Sequence, residues 1–228
     1  MIRKTLKYFL LLFCVPAAIF IGTRVFKDKQ YAFISITIAI LSCVGFFLTF
    51  EKKKSSTRKL ILISVMTALS VGGRFLFTLV PGFKPVTAFV VITAIHFGSE
   101  AGFLCGSFSA LISNMYFGQG PWTPFQMLTW GMIGFVAGIF SKKLKTNRLL
   151  LYLYGAFAGV VYSLLMDVWS VLWIDNTFNA ALYLVTLTAS LPYTAIYAVS
   201  NVIFLFLLSR PIGEKLERIK KKYALDEQ

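Results

Sequence analysis

"AGFLCGSFSALISNMYFGQGPWTPFQMLTWGMIGFVAGIFS", residues 101–141, contains no Asp, Glu, Lys or Arg. Two apolar runs, 101–117 and 125–141, flank a joint made of Gly118, Gln119, Gly120, Pro121, Trp122, Thr123 and Pro124. Each run approaches the roughly 17–25 residues that carry a helix across a bilayer. Charge-free windows recur at 8–23, 30–50, 60–73, 149–166 and 176–209. A soluble helical protein would show polar faces at helical spacing within such windows. The 228 residues are 57 % hydrophobic and 14 % charged, against about 45–50 % and about 25 % for soluble domains. The chain reads as an all-α integral membrane protein.

Eight apolar segments are expected, at about 7–23, 31–50, 60–80, 86–98, 101–117, 125–141, 149–172 and 180–209. The first begins like a signal peptide, but it lacks a clear cleavage site and a second apolar run follows at once, so it reads as a retained helix. The fourth has too few residues to cross a ~30 Å core straight, and is expected as a short or broken helix beside a cavity. The run "EKKKSSTRK", 51–59, divides the chain. Residues 1–55 form a two-helix hairpin and 56–228 a six-helix core with a basic tail, about eight membrane segments in all.

The net charge of +14 sits in short clusters between apolar runs. That placement points to topology and not to nucleic acid. Eighteen of the 23 Lys and Arg fall on one side: the amino terminus, 52–59, 142–148 and 210–222. Arg24, Lys27, Lys29 and Lys84 fall on the other. Both termini are therefore expected in the cytoplasm, with the loops 81–85, 118–124 and 173–179 outside. Cys14, Cys43 and Cys105 lie within apolar stretches without metal-ligand spacing, and read as small buried residues.

Ionisable residues inside apolar segments are few: Arg74, His96, Glu100 and Asp167. Each needs a partner or water, because a central charge costs roughly 2.5–3.5 kcal/mol on insertion scales. Arg74 and Asp167 both fall in the outer half of the bilayer, where they would pair with each other or meet a ligand. His96 and Glu100 suit a turn or helix cap beside Gly98. The outer side carries Phe83, Tyr116, Phe117, Gln119, Trp122, Phe125, Gln126, Trp169, Trp173, Asn176, Phe178 and Tyr193. An interface belt explains Trp and Tyr. Phe, Gln and Asn fit better the wall of a site for a bulky, partly apolar, hydrogen-bonding ligand. The ligand-binding candidates are Arg74, Phe83, Lys84, Gln119, Trp122, Thr123, Gln126, Asp167, Trp169, Asn176 and Tyr193. Ser64, Ala68 and Gly72, at i, i+4 and i+8, make a small-residue face suited to close helix approach, either within the chain or against another subunit. Gly98, Gly102, Gly106 and Ala110 repeat the pattern, and there packing inside the chain is the stronger reading. No catalytic set and no metal site emerges, and no phosphate-binding G-x-x-x-x-G-K-[ST] is present, so any ATP-driven step belongs to another polypeptide.

At "ISVMTALSVGGRF", "HFGSEAGFLCGSFSALISNMYFGQGPWTPFQML" and "WGMIGFVAGIF" the chain resembles the substrate-binding (S) component of an energy-coupling factor (ECF) transporter. The likeness covers about 60–210 and leans toward the cobalamin branch. It implies a six-helix vitamin-binding protein in a prokaryotic cell membrane. Such a protein docks through small residues of its first core helix on a membrane coupling (T) subunit driven by two cytoplasmic ATPases. It then topples to release the vitamin inside. No cofactor is implied on this chain, and ATP and Mg belong to the partners. Ser64, Ala68 and Gly72 would take the docking role. Cobalamin or cobinamide is the expected ligand, its amides meeting Gln119, Gln126 and Asn176, whereas a carboxylate-bearing vitamin would call on Arg74 or Lys84. The alternatives are an S component for another vitamin or a nucleobase-like nutrient, and a membrane assembly protein without transport.

Overall fold

The computed structural model describes residues 57–175 and 177–223, all helices and connecting turns. The proposed amino-terminal hairpin and Asn176 lie outside the described residues. The helices are α1 (Thr57–Leu76), α2 (Val86–Phe97), α3 (Ser99–Phe117), α4 (Thr123–Ile139), α5 (Ser141–Thr146), α6 (Arg148–Asp175) and α7 (Ala180–Lys222). Among the described residues, α1, α6 and α7 are long and apolar enough to cross a membrane. Their outer faces expose Leu153, Phe157, Leu184, Val185, Phe206 and Leu207. An apolar surface of that extent has no place in water, and it suits lipid.

The six expected core segments are all present as helices. The short one, α2, is the hub. Its 12 residues are all buried, and it packs against each of the other six described helices. At 1.5 Å per residue it is only about 18 Å long, so its two ends stop inside the protein and leave room there. Pro85 stands at its start, and Gly98, at φ 95°, ends it and turns the chain into α3.

The α3–α4 pair shows why the glycine spacing matters. A Cβ on Gly102 would meet the Ala94 Cβ at 2.5 Å and the Gly134 carbonyl oxygen at 2.6 Å. Gly106 faces the Trp130 backbone, and Gly138 faces Ser99 equally closely. The second small-residue series thus packs within the chain, as expected. The first does not. Ser64 and Ala68 are exposed, and nothing lies within 4 Å of a Cβ built on Gly72.

Helix α7 has 43 residues, roughly 64 Å. The apolar part ends at Ser209, and the charged turns from Arg210 onward stand beyond it. Asn179 caps its start, its side-chain oxygen accepting from the Ala181 and Leu182 amides at 3.0 and 3.2 Å. Pro192 and Pro211 interrupt its hydrogen-bond ladder, and each is a point where a helix bends.

Candidate functional site

The last turn of α1 delivers Arg74 into the protein, 9 % exposed. It is not paired with Asp167. Its Nη1 donates to Ser113 Oγ and, at 2.8 Å, to Asn114 Oδ1. The guanidinium carbon stands 4.7 Å from the Phe117 ring centre and 5.3 Å from that of Trp130, within cation–π range. Its Nε is buried and has no hydrogen-bond partner among the described residues. A buried guanidinium held by neutral groups alone keeps its full charge uncompensated, so this end of the protein is set up for an anionic or strongly electron-rich ligand atom.

Asn114 carries the interaction onward. Its Nδ2 donates to Thr123 Oγ1 at 2.9 Å and to Gln126 Oε1 at 2.8 Å. Gln126 Nε2 then donates to the Tyr162 hydroxyl at 3.2 Å. The relay runs through α1, α3, α4 and α6, each amide accepting on one side and donating on the other. Because the Tyr162 oxygen accepts here, its proton is free to be donated elsewhere. Trp130 stacks on Tyr162 with ring centres 5.0 Å apart and planes 18° from parallel, a geometry worth about 0.5–1.5 kcal/mol beyond burial. Tyr197 meets Tyr162 edge-on at 5.2 Å.

These groups wall a cavity of about 120 Å³ beside the start of α2, lined by Arg74, Lys84, Thr87, Gln126, Trp130, Tyr162, Tyr197 and Asn201, among others. No carboxylate among the described residues lines it. Lys84 Nζ lies 5.0 Å from the Phe117 ring centre, and its backbone N–H is tied to Ser200 Oγ of α7 at 3.0 Å. A second cavity of about 220 Å³ shares Gln126, Tyr162 and Tyr197 with the first and adds Ser163, Met166, Asp167, Ser190 and Tyr193. There Asp167 accepts from the Ser190 hydroxyl at 2.6 Å.

The structure therefore brings Arg74, Lys84, Gln126, Asp167 and Tyr193 to two adjoining cavities. The other candidates take different places. Phe83 packs between Phe77 and Phe204. Trp169 is buried on Phe125, stacked at 5.7 Å. Gln119 turns back to the Leu111 carbonyl at 2.9 Å, and Trp122 lies over Gly120. Thr123 supports the relay from behind by accepting from Asn114. The charge-free joint thus folds on itself, and its contribution is to aim Thr123 and Gln126 at the start of α4. The sequence reading missed Ser113, Asn114, Trp130, Tyr162, Tyr197 and Asn201. The amides among them were detectable as rare polar residues in apolar runs. The aromatics were not, since a ring inside a helix reads equally well as core.

His96 reaches across to α7 at the other end of α2, its Nδ1 2.9 Å from Glu217 Oε1, and Glu100 lies in the first turn of α3 beside Gly98. Cys105 is free and buried, as its surroundings in the sequence suggested.

A bundle with lipid-facing apolar helices and adjoining polar, aromatic-walled hollows beside a short central helix suits a membrane substrate-binding protein. The model of the family described as ECF-type riboflavin transporter, S component, matches residues 54–214, and the chain belongs to that family. Neither the curated proteins nor the solved structures returned a match. The chain is thus an ECF S component, as the resemblance implied, but the cobalamin branch gains no support, the matched model being that of riboflavin transporters.

Proposed function

We propose that this chain captures a riboflavin-class vitamin in the paired cavities and delivers it as the substrate-binding subunit of an ECF transporter. The observation that carries the ligand class is the wall formed by the stacked Trp130–Tyr162 pair beside the Arg74–Asn114–Gln126 relay. A flat heteroaromatic ring presents faces to stack on aromatic side chains and edge carbonyls and ring nitrogens to accept from Arg74, Lys84 and Tyr162. A polyhydroxyl side chain suits the neighbouring cavity, where Asp167, Ser163 and Ser190 offer acceptors and hydroxyls. The two cavities together reach the lower part of the ~300–1,000 Å³ typical of small-molecule sites. A corrin is several times bulkier, which, with the matched family, turns the reading from cobalamin to a flavin.

The distribution of the basic residues supports a reading with the cavities toward the outside and both termini in the cytoplasm. Docking to the membrane coupling subunit falls to the exposed Ser64–Ala68–Gly72 face of α1, and ATP is hydrolysed on partner subunits. Purified full-length protein titrated with riboflavin is expected to quench the vitamin's fluorescence saturably at one equivalent, with cobalamin giving no saturable signal by calorimetry. Saturable cobalamin binding without riboflavin binding overturns the flavin reading.

A further inference from the structure

A third cavity, of about 540 Å³, lies at the opposite end of α2. Its floor is apolar, made by Ile95, Leu144 and Leu151, all buried. Its rim is strongly basic: Lys145 from α5, Arg148 from α6, and Arg210, Arg218 and Lys221 from α7. Two carboxylates share the rim, and each already has a cation. Glu214 accepts from Arg210 at 2.9 Å. Glu217 accepts from Lys145 at 2.5 Å and faces His96 at 2.9 Å. Glu217 is thus engaged by Lys145 and His96. Arg148, Arg218 and Lys221 have no acidic partner among the described residues.

We infer that this cavity binds the phosphate-bearing headgroup of an anionic phospholipid. Three cations without an acidic partner among the described residues converge on one hollow and supply the charge for a phosphate. The buried apolar floor does what a soluble anion would not need: it receives the glycerol and first methylenes of a chain. The level is right as well, since the rim begins at Arg210, where the apolar part of α7 ends. Basic pockets between helices at the edge of a bilayer are the usual place for such headgroups. The inference is independent of the vitamin assignment, because the two sites share no residue.

The test uses full-length protein and native mass spectrometry from detergent containing equal phosphatidylglycerol and phosphatidylcholine of matched chains. Wild-type protein is expected to retain phosphatidylglycerol preferentially. The triple variant Arg148→Gln, Arg218→Gln, Lys221→Gln is expected to lose the preference. A control with as many charges removed outside the cavity, Lys142→Gln, Lys143→Gln, Lys215→Gln, is expected to keep it. Equal loss in the control, or retention in the triple variant, overturns the site. Should the triple variant not fold, the single substitutions replace it, each expected to weaken retention roughly fivefold; unchanged retention in all three overturns the site. Inorganic phosphate is added without lipid in a parallel arm. Thermal stabilisation by phosphate alone, abolished by the cavity substitutions, assigns the hollow to a soluble anion and overturns the lipid as its occupant.

Discussion

Arg74 sits where charge is expensive, and the protein surrounds it with amides, hydroxyls and rings in place of a carboxylate. Pairing with an acid would satisfy the charge permanently and leave nothing for a ligand. Neutral support holds the guanidinium in position while its charge stays available. Arg74→Met is therefore expected to lower ligand affinity by at least tenfold while changing thermal stability little, since removal of a buried charge offsets the Asn114 oxygen left without its donor. Arg74→Lys should not restore binding, because a compact ammonium lacks the planar guanidinium that lies over the Phe117 and Trp130 rings. Fluorescence titration and melting of both variants check this. Arg74 and Lys84 were legible in the sequence because cations are rare in such surroundings. Their separation from Asp167 was not, since depth in the bilayer follows from residue counting but the direction of a side chain around its helix follows only from packing. Asn114 stands as the middle of the relay, and Asn114→Leu would strand both Arg74 and Gln126. Each buried group left without a partner costs about 1–3 kcal/mol, so this variant is expected to lose stability as well as binding, in contrast to Arg74→Met.

At the scale of the element, the short α2 explains why the site lies where it does. A helix of full span would fill the bundle from one face to the other. Twelve residues leave a space at each end, and the first and third cavities occupy them, lined by Val86 and Thr87 at the start of α2 and by Ile95 and His96 at its end. The length was legible from the sequence, bracketed by Pro85 and Gly98. That the helix is buried all round was not, because a wholly apolar run looks the same facing lipid or protein. The α3–α4 contact is the converse case. Its glycine spacing announced close approach, and the backbones do approach until no Cβ fits. Gly134→Leu is expected to destabilise the protein by at least about 1–3 kcal/mol, since the new side chain would run into the Gly102 backbone and Val90. It would also shift the start of α4 and with it Gln126. The same substitution at Gly72, where nothing lies within 4 Å of a Cβ, should leave the melting temperature equal or higher, so differential scanning fluorimetry of the two variants separates the packing glycines from the open one.

For the whole molecule, the decisive asymmetry lies between the two small-residue faces. One is consumed inside the bundle. The other, along α1, presents Ser64 and Ala68 outward, with Gly72 half-buried in line with them, beside Ile61, Val65 and Leu69. The Ser64 hydroxyl bonds back to the Leu60 carbonyl at 3.0 Å, so this face offers lipid or protein a low surface with no polar group demanding water. In lipid, helices associate chiefly through close packing of such surfaces, because the surrounding tails are as apolar as leucine. The proposed docking role requires a face that does not intrude on the binding site. Arg74 and that face share α1, yet Arg74 is turned inward and Ala68 outward. Replacing Ala68 with Trp should therefore leave riboflavin quenching by the purified chain unchanged. The same substitution should abolish co-purification with the coupling subunit and ATP-dependent uptake in reconstituted vesicles. If Ala68→Trp left both intact, α1 would be a plain lipid-facing helix, and the coupling surface would have to lie elsewhere on the bundle. If it impaired binding by the isolated chain, the separation of capture from docking along this one helix would fail.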